Sequence, residues 1–253
     1  MKKAIVRLII ALLAIIIVCV VVVGLFLDSA IKKGVETVGP KIAKVDIKLD
    51  GISLSLLSGS GKIKGLVVGN PEGCKTPQAI SVGVASAAVK IGSILSDKVV
   101  VSSVRVEAPE ITFEGGLGGN NLSKILDNVN ATVGGSTTNK SAAKEEQPGK
   151  KIEVDDFLIT GAKVHLSITG MAGKSVPIVL PDIHLTDLGK DSNGLTPAEL
   201  TKKVLEAVVA STTKAASQAI ADLGKGATDA AKGAAGKAGG AVKGIGDLFK
   251  KKQ

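Results

Sequence analysis

The sequence predicts an α+β fold, mainly β: an N-terminal transmembrane helix, then a curved antiparallel sheet forming an open apolar groove, then a C-terminal amphipathic helix. Three observations carry this. Leu8 to Leu27 is a run of 20 residues without one charge. From Val45 onward apolar and polar residues alternate, the period of a half-buried strand. After Thr196 the apolar spacing changes to three and four, the period of a helix.

The apolar run reaches about 30 Å as a helix, the thickness of a hydrocarbon core. Lys2, Lys3 and Arg7 precede it, whereas Asp28, Lys32, Lys33 and Glu36 beyond it sum to zero. The positive-inside rule therefore leaves the N-terminus in the cytoplasm and exports the rest. A cleaved signal peptide has an apolar stretch of roughly 7–15 residues and a small-x-small site. This stretch is longer and ends in Phe26-Leu27-Asp28-Ser29-Ala30, so residues 1–33 are expected to form a cytoplasmic stub and an uncleaved single-pass anchor.

Residues 44–130 read as a β module. Val45, Ile47 and Leu49 alternate with Asp46, Lys48 and Asp50; after Gly51 the phase slips and Leu54 and Leu56 carry it on, which predicts a bulge near Asp50-Gly51. Further alternating runs at Lys62 to Val68, Ile80 to Ile91, Val99 to Val106 and Ile111 to Glu114 predict an antiparallel meander with one greasy and one wet face. Asn121 to Val129 puts Leu122, Ile125, Leu126 and Val129 on one side of a short helix over an end of the sheet.

Residues 131–151, rich in Gly, Ser, Thr and Lys, read as a flexible linker or loop. Residues 152–190 add strands to the same sheet, and Pro177 and Pro181, which cannot donate ladder hydrogen bonds, place the last run at an edge. Thr196-Pro197-Ala198-Glu199 is a capped helix start, and Leu200, Val204, Val208, Ile220 and Leu223 form the apolar stripe of an amphipathic helix over 195–223. Residues 224–253 keep weak helical spacing in a Lys/Ala/Gly-rich tail, where Lys225, Lys232, Lys237, Lys243, Lys250, Lys251 and Lys252 with Phe249 are candidates for contact with an anionic membrane surface.

Charge and composition exclude several functions. The formal charge is +9, yet residues 1–7 contribute +3 and residues 224–253, with seven lysines against two aspartates, +5, which leaves the other 216 residues at only +1. With no Trp, no Tyr and four Phe there is no stacking platform for bases, so nucleic acid is not an expected partner. Cys19 lies in the predicted span and Cys74 is alone beyond it, so no disulfide staples the exported part of one chain.

No catalytic, metal or cofactor site is expected. Gly59-Ser60-Gly61-Lys62 fails as a phosphate loop, because Ile63 stands where Ser or Thr is required and Leu56 where the first glycine belongs. His165 and His184 lie in separate predicted strands without ligand spacing, despite Asp182 and Asp187 near the second. Cys74 has no local activating base, and Glu107, Glu110 and Glu114 around Pro109 mark strand ends and a solvated face.

Residues 1 to about 130 resemble the N-terminal module of the AsmA-like proteins of the bacterial envelope. The resemblance rests on an ordered series: the anchor, Val45 to Gly59 (VDIKLDGISLSLLSG), Gly65 to Gly73 (GLVVGNPEG), Ile91 to Asp97 (IGSILSD), Val104 to Glu114 (VRVEAPEITFE), and the helix start Asn120-Asn121-Leu122. It implies a twisted sheet rolled into an apolar groove like the chorein-type start of bridge-like lipid-transfer proteins. It also implies a place in the inner membrane with the bulk of the chain periplasmic, and a role in moving or accommodating phospholipids. Large family members extend the groove through many repeats, whereas this chain has room for about one unit.

Two functions are carried forward. The first is a non-enzymatic, membrane-anchored lipid-binding or lipid-transfer module, its groove formed by Val45, Ile47, Leu49, Leu54, Leu56, Ile80, Val82, Val84, Val104, Val106, Ile111 and Phe113. The second is a structural or assembly factor that docks another envelope protein through a sheet edge or the C-terminal helix and carries no lipid.

Overall fold

Aliphatic residues at alternate positions, punctuated by Gly and Pro, form ten strands among the residues described by this computed structural model, which are 26–55, 57–116, 119–135, 150–168 and 175–222. They are β1 (Ile47–Ser55), β2 (Ser60–Gly69), β3 (Gln78–Val89), β4 (Lys98–Glu107), β5 (Glu110–Gly116), β6 (Gly119–Asn120), β7 (Lys151–Thr160), β8 (Lys163–Ile168), β9 (Val176–Val179) and β10 (Ile183–Leu188). Three helices join them: α1 (26–43), α2 (Asn121–Gly135) and α3 (197–222). The chain divides into two compact units, Met1–Thr212 and Thr213–Gln253. The first holds the sheet, α1, α2 and α3 up to residue 212; of the second, the described residues are the helical 213–222.

Apart from the two-residue β6, which pairs only with β5, the strands behave as six long ones. β4 and β5 both run antiparallel to β3 in one register, Val84↔Glu107 before a break and Ser81↔Glu110 after it. β7 and β8 follow them in parallel, Glu107↔Thr160 and Glu110↔Lys163, and β10 and β9 follow in turn, Ile183↔Ile159 and Val179↔Lys163. In β1 and β2 the same line passes between Leu49↔Leu66 and Gly51↔Lys64, where Asp50 and Gly65 leave the ladder. One crease thus crosses all six long strands. Gly65, Ala108 and Gly161 stand on it with φ of +62°, +45° and +63°. Backbone bonds such as Ala108 N–H to Thr160 O and Leu180 N–H to Ala162 O carry the ladder across.

The crease resolves the phase slip. The predicted bulge near Asp50-Gly51 is corrected, because the β1/β2 register runs unshifted from Ile47↔Val68 to Ser55↔Ser60 with no extra residue on either strand. The side chains of β1 instead turn over at the line without an added residue, opposite the left-handed Gly65 of β2, so odd positions of β1 before the line and even positions after it share one face.

The antiparallel meander is likewise corrected to a mixed sheet, since β4 pairs β7 and β5 pairs β8 in parallel. The chain leaving β5 passes through β6 and α2 before β7 begins, and such a crossover returns a strand in its original direction. A period of two records which face a residue occupies, not which way its strand runs. Of the predicted linker 131–151, residues 131–135 belong to α2 and Lys151 begins β7, while residues 136–149 lie outside the described residues.

Both edges of the sheet are closed by chemistry. Along β1, Asp28 Oδ1 of α1 accepts from Leu54 N–H (3.0 Å), Glu36 Oε1 accepts from Leu49 N–H (3.0 Å), and Lys32 Nζ donates to Asp50 O (3.1 Å). Spaced by four, these side chains lie on one stripe of α1 and act as a substitute neighbouring strand. At the far edge, Leu180 N–H points inward to Ala162 O. Pro177 and Pro181 hold the opposite parity, where an N–H would point outward, as expected for an edge strand.

Among the described residues no helix is long and apolar enough to cross a membrane. The predicted span lies outside them except for Phe26 and Leu27, as do the tail 224–253 and Leu56.

Candidate functional site

The aliphatic face of the sheet meets the three helices around a cavity of about 360 Å³ centred on the crease. Ile47, Leu66, Val68, Ile80, Val82, Pro109 and Ile111 line it from one side of the crease, and Val106, Phe157 and Ile159 from the other. Residues 106 and 109 of one long strand, opposite in parity, reach the same space because Ala108 between them has a positive φ.

The helices supply the remaining wall: Ala43 from α1, Ile125 and Val129 from α2, and Leu200, Thr201, Val204, Leu205 and Val208 from α3. The spacing of 200, 204, 205 and 208 puts one face of α3 over the sheet. Its start is fixed by a capping box, in which Thr196 N–H donates to Glu199 Oε2 (2.7 Å) and Glu199 N–H donates to Thr196 Oγ1 (3.2 Å). The bonds that Thr196 donates to Glu199 Oε2, from its N–H and from its hydroxyl, hold the Glu199 carboxyl below its ordinary range even though partial burial opposes them. Thr201 is the one polar liner, and its hydroxyl is spent on Pro197 O (2.8 Å). The cavity therefore offers no free polar group, and it lies near the lower end of the roughly 300–1,000 Å³ of small-molecule sites.

Of the sequence-derived groove candidates, Ile47, Ile80, Val82, Val106 and Ile111 line the cavity. Leu49 and Phe113 are buried beside it in the core, and Val45 is buried just before β1. Leu54 is half-buried beyond the crease, and Val104 packs against the cluster of Val154, Leu188 and Leu195. Val84 is 41% exposed on the opposite face, because the crease at Gly83 interrupts the alternation that Ile80 and Val82 begin; Ala85 is buried instead. Phe157, Ile159, Pro109 and the α3 residues were not among the candidates. The α3 stripe was visible in sequence, but nothing in it says which surface the helix covers.

The polar face carries structural pairs. Asp156 on β7 binds the Arg105 guanidinium on β4 and His184 Nε2 on β10 (2.6 Å). His165 Nε2 stands 3.8 Å from Glu110. Among the described residues no group of three or more His, Cys, Asp or Glu side chains could hold a metal.

At the α2 end, Asn121 donates from Nδ2 to Thr112 O (2.8 Å) and Asn70 Oδ1 (2.7 Å), and its Oδ1 accepts from Glu114 N–H (2.9 Å). The Gly69-Asn70-Pro71 turn and the Asn120-Asn121 helix start, far apart in sequence, thus meet through one buried side chain. Thr76 Oγ1 and N–H, with Lys75 N–H, bind the Glu114 carboxylate and hold its pKa down against desolvation. Cys74 is half-buried nearby, its thiol pushed up by desolvation and then by the Glu114 charge. No family model matches the chain, and no curated protein matches it at a significant level.

Proposed function

We propose that this chain is a non-enzymatic, AsmA-like lipid-binding or lipid-transfer module, held by an uncleaved N-terminal helix in a bacterial inner membrane with its sheet on the periplasmic side. The observation that carries the reading is the cavity at the crease, a space of about 360 Å³ walled almost wholly by apolar side chains of the sheet and of α1, α2 and α3. A wall without free donors or acceptors suits the hydrocarbon part of a lipid, where each buried methylene contributes about 0.8 kcal/mol. It does not suit a polar substrate.

The competing function, docking another protein by strand addition, finds less support, since α1 occupies the β1 edge and two prolines interrupt the other. The test is mass spectrometry of organic extracts from residues 26–253 prepared without detergent. Stoichiometric lipid is expected. Its loss is expected in Val82→Glu, which places a carboxylate against the acyl chain; lipid-free, well-folded parent protein would refute the reading.

A further inference from the structure

Among the described residues, four exposed large apolar side chains gather at one end of the sheet, apart from Val179 on the β9 edge. Leu95 is 93% exposed, Leu57 84%, Phe26 73% and Ile91 49%. Leu57 sits in the β1–β2 turn, and Ile91 and Leu95 lie in the β3–β4 connection. The two loops touch, as Val89 N–H donates to Gly59 O (2.7 Å) and a Cβ on Gly59 would meet Ile91 Cγ1 at 3.0 Å.

Phe26 belongs to the same end because α1 runs antiparallel to β1. Asp28 reaches Leu54, Lys32 reaches Asp50 and Glu36 reaches Leu49, so the helix begins beside the β1–β2 turn. The 20-residue uncharged run Leu8 to Leu27 therefore feeds into the fold at the end where the bare apolar tips project. From that end the aliphatic face continues through Leu54, Ile52, Ile63 and Ala85 toward Val106 at the cavity wall, each successive pair adjacent in the ladder or two apart along a strand.

We propose that this end of the sheet lies on the bilayer, with Phe26, Leu57, Ile91 and Leu95 dipping into the headgroup layer and the apolar face forming a path from the membrane to the cavity. Scattered exposed hydrophobics need no explanation, but a cluster at the end where an apolar segment of spanning length arrives does. Interfacial side chains of this kind sit roughly 5–10 Å below the membrane surface. The inference rests on the membrane-anchored reading above and adds the orientation.

The chain has no Trp, so one introduced at a tip is a unique fluorophore. Full-length Leu57→Trp and Leu95→Trp proteins are reconstituted into phosphatidylcholine–phosphatidylglycerol vesicles, with and without bromine on the acyl chains. Glu72→Trp, in the exposed β2–β3 turn at the opposite end, serves as reference. The 12 residues of β3 separate the ends by roughly 35 Å. A blue shift and about a twofold quenching are expected at positions 57 and 95, with none at 72. Circular dichroism matching the parent confirms the fold of each variant.

Equal quenching at all three positions, or none at 57 and 95 in chains that float with the vesicles, would overturn the orientation, the latter leaving the tips to a protein partner. Failure to float, or a mature chain whose intact mass starts after Leu27, would overturn it together with the anchor. Absence of extractable lipid would remove the cavity reading and leave the quenching result unchanged.

Discussion

At Gly65 a φ of +62° coincides with the Asp50 carboxylate, whose Oδ2 lies 1.9 Å from where a Cβ would stand. Gly65→Ala therefore combines a left-handed alanine with a clash, and is expected to cost about 2–3 kcal/mol in urea unfolding. Gly83, on the same crease in β3, has no atom within 4 Å of its Cβ position and no positive φ. Gly83→Ala is expected to change stability by less than about 0.5 kcal/mol. Similar losses for both would mean that the crease does not depend on the left-handed residue. Asp156 offers a pH test. The hydrogen bond from Arg105, then that with His184, holds its carboxyl below the usual range. Such a group stabilises the fold above its unfolded pKa, near 4, and loses that contribution as pH falls through the lower folded value. Asp156→Asn is expected to flatten the decline of Tm below about pH 4. Parallel acid limbs for parent and variant would rule the contribution out.

At the scale of elements, α1 is the neighbour that β1 would otherwise seek in another molecule. Glu36→Ala strands the N–H of Leu49, a residue only 2% exposed, and is expected to cost about 1–3 kcal/mol, more than Asp28→Ala at the half-buried Leu54. The double variant is expected to scatter light on mild heating, because the freed edge pairs with other copies. In the capping box, Thr196→Ala is expected to cost about 1 kcal/mol by thermal unfolding. The sequence made some elements legible and hid others for physical reasons. The α3 start was readable because its cap is local, three residues from Thr196 to Glu199. The edge position of β9 was readable because Pro lacks a donor. Val84 was misplaced because its run was carried through Gly83 at a period of two, and the line that crosses β3 there is set by the neighbouring strands rather than by any signal at Gly83 itself. The parallel pairing of β4 with β7 leaves no local trace at all. Asp28, Lys32 and Glu36 read as a neutral flank, since their roles exist only once β1 lies beside them.

Across the whole molecule, the cavity depends on groups brought together from the long strands and from three helices, so no short motif could have announced it. If it holds hydrocarbon, a lipid at a hundred times its Kd stabilises the fold by about 2.7 kcal/mol. Titration with a long-chain lipid is therefore expected to raise Tm in the parent protein. In Val204→Glu, where α3 would place a charge in the wall, the shift is expected to vanish. A shift that survives the substitution would locate the lipid elsewhere. The crease also has a meaning for how such a sequence can vary. Because every long strand crosses the line in an unbroken register, deleting one residue near it in a single strand would turn the rest of that strand inside out against its neighbours. Length changes are thus confined to the ends of the strands, and the number of residues between turn and crease is inherited by the sheet as a whole rather than by any one strand.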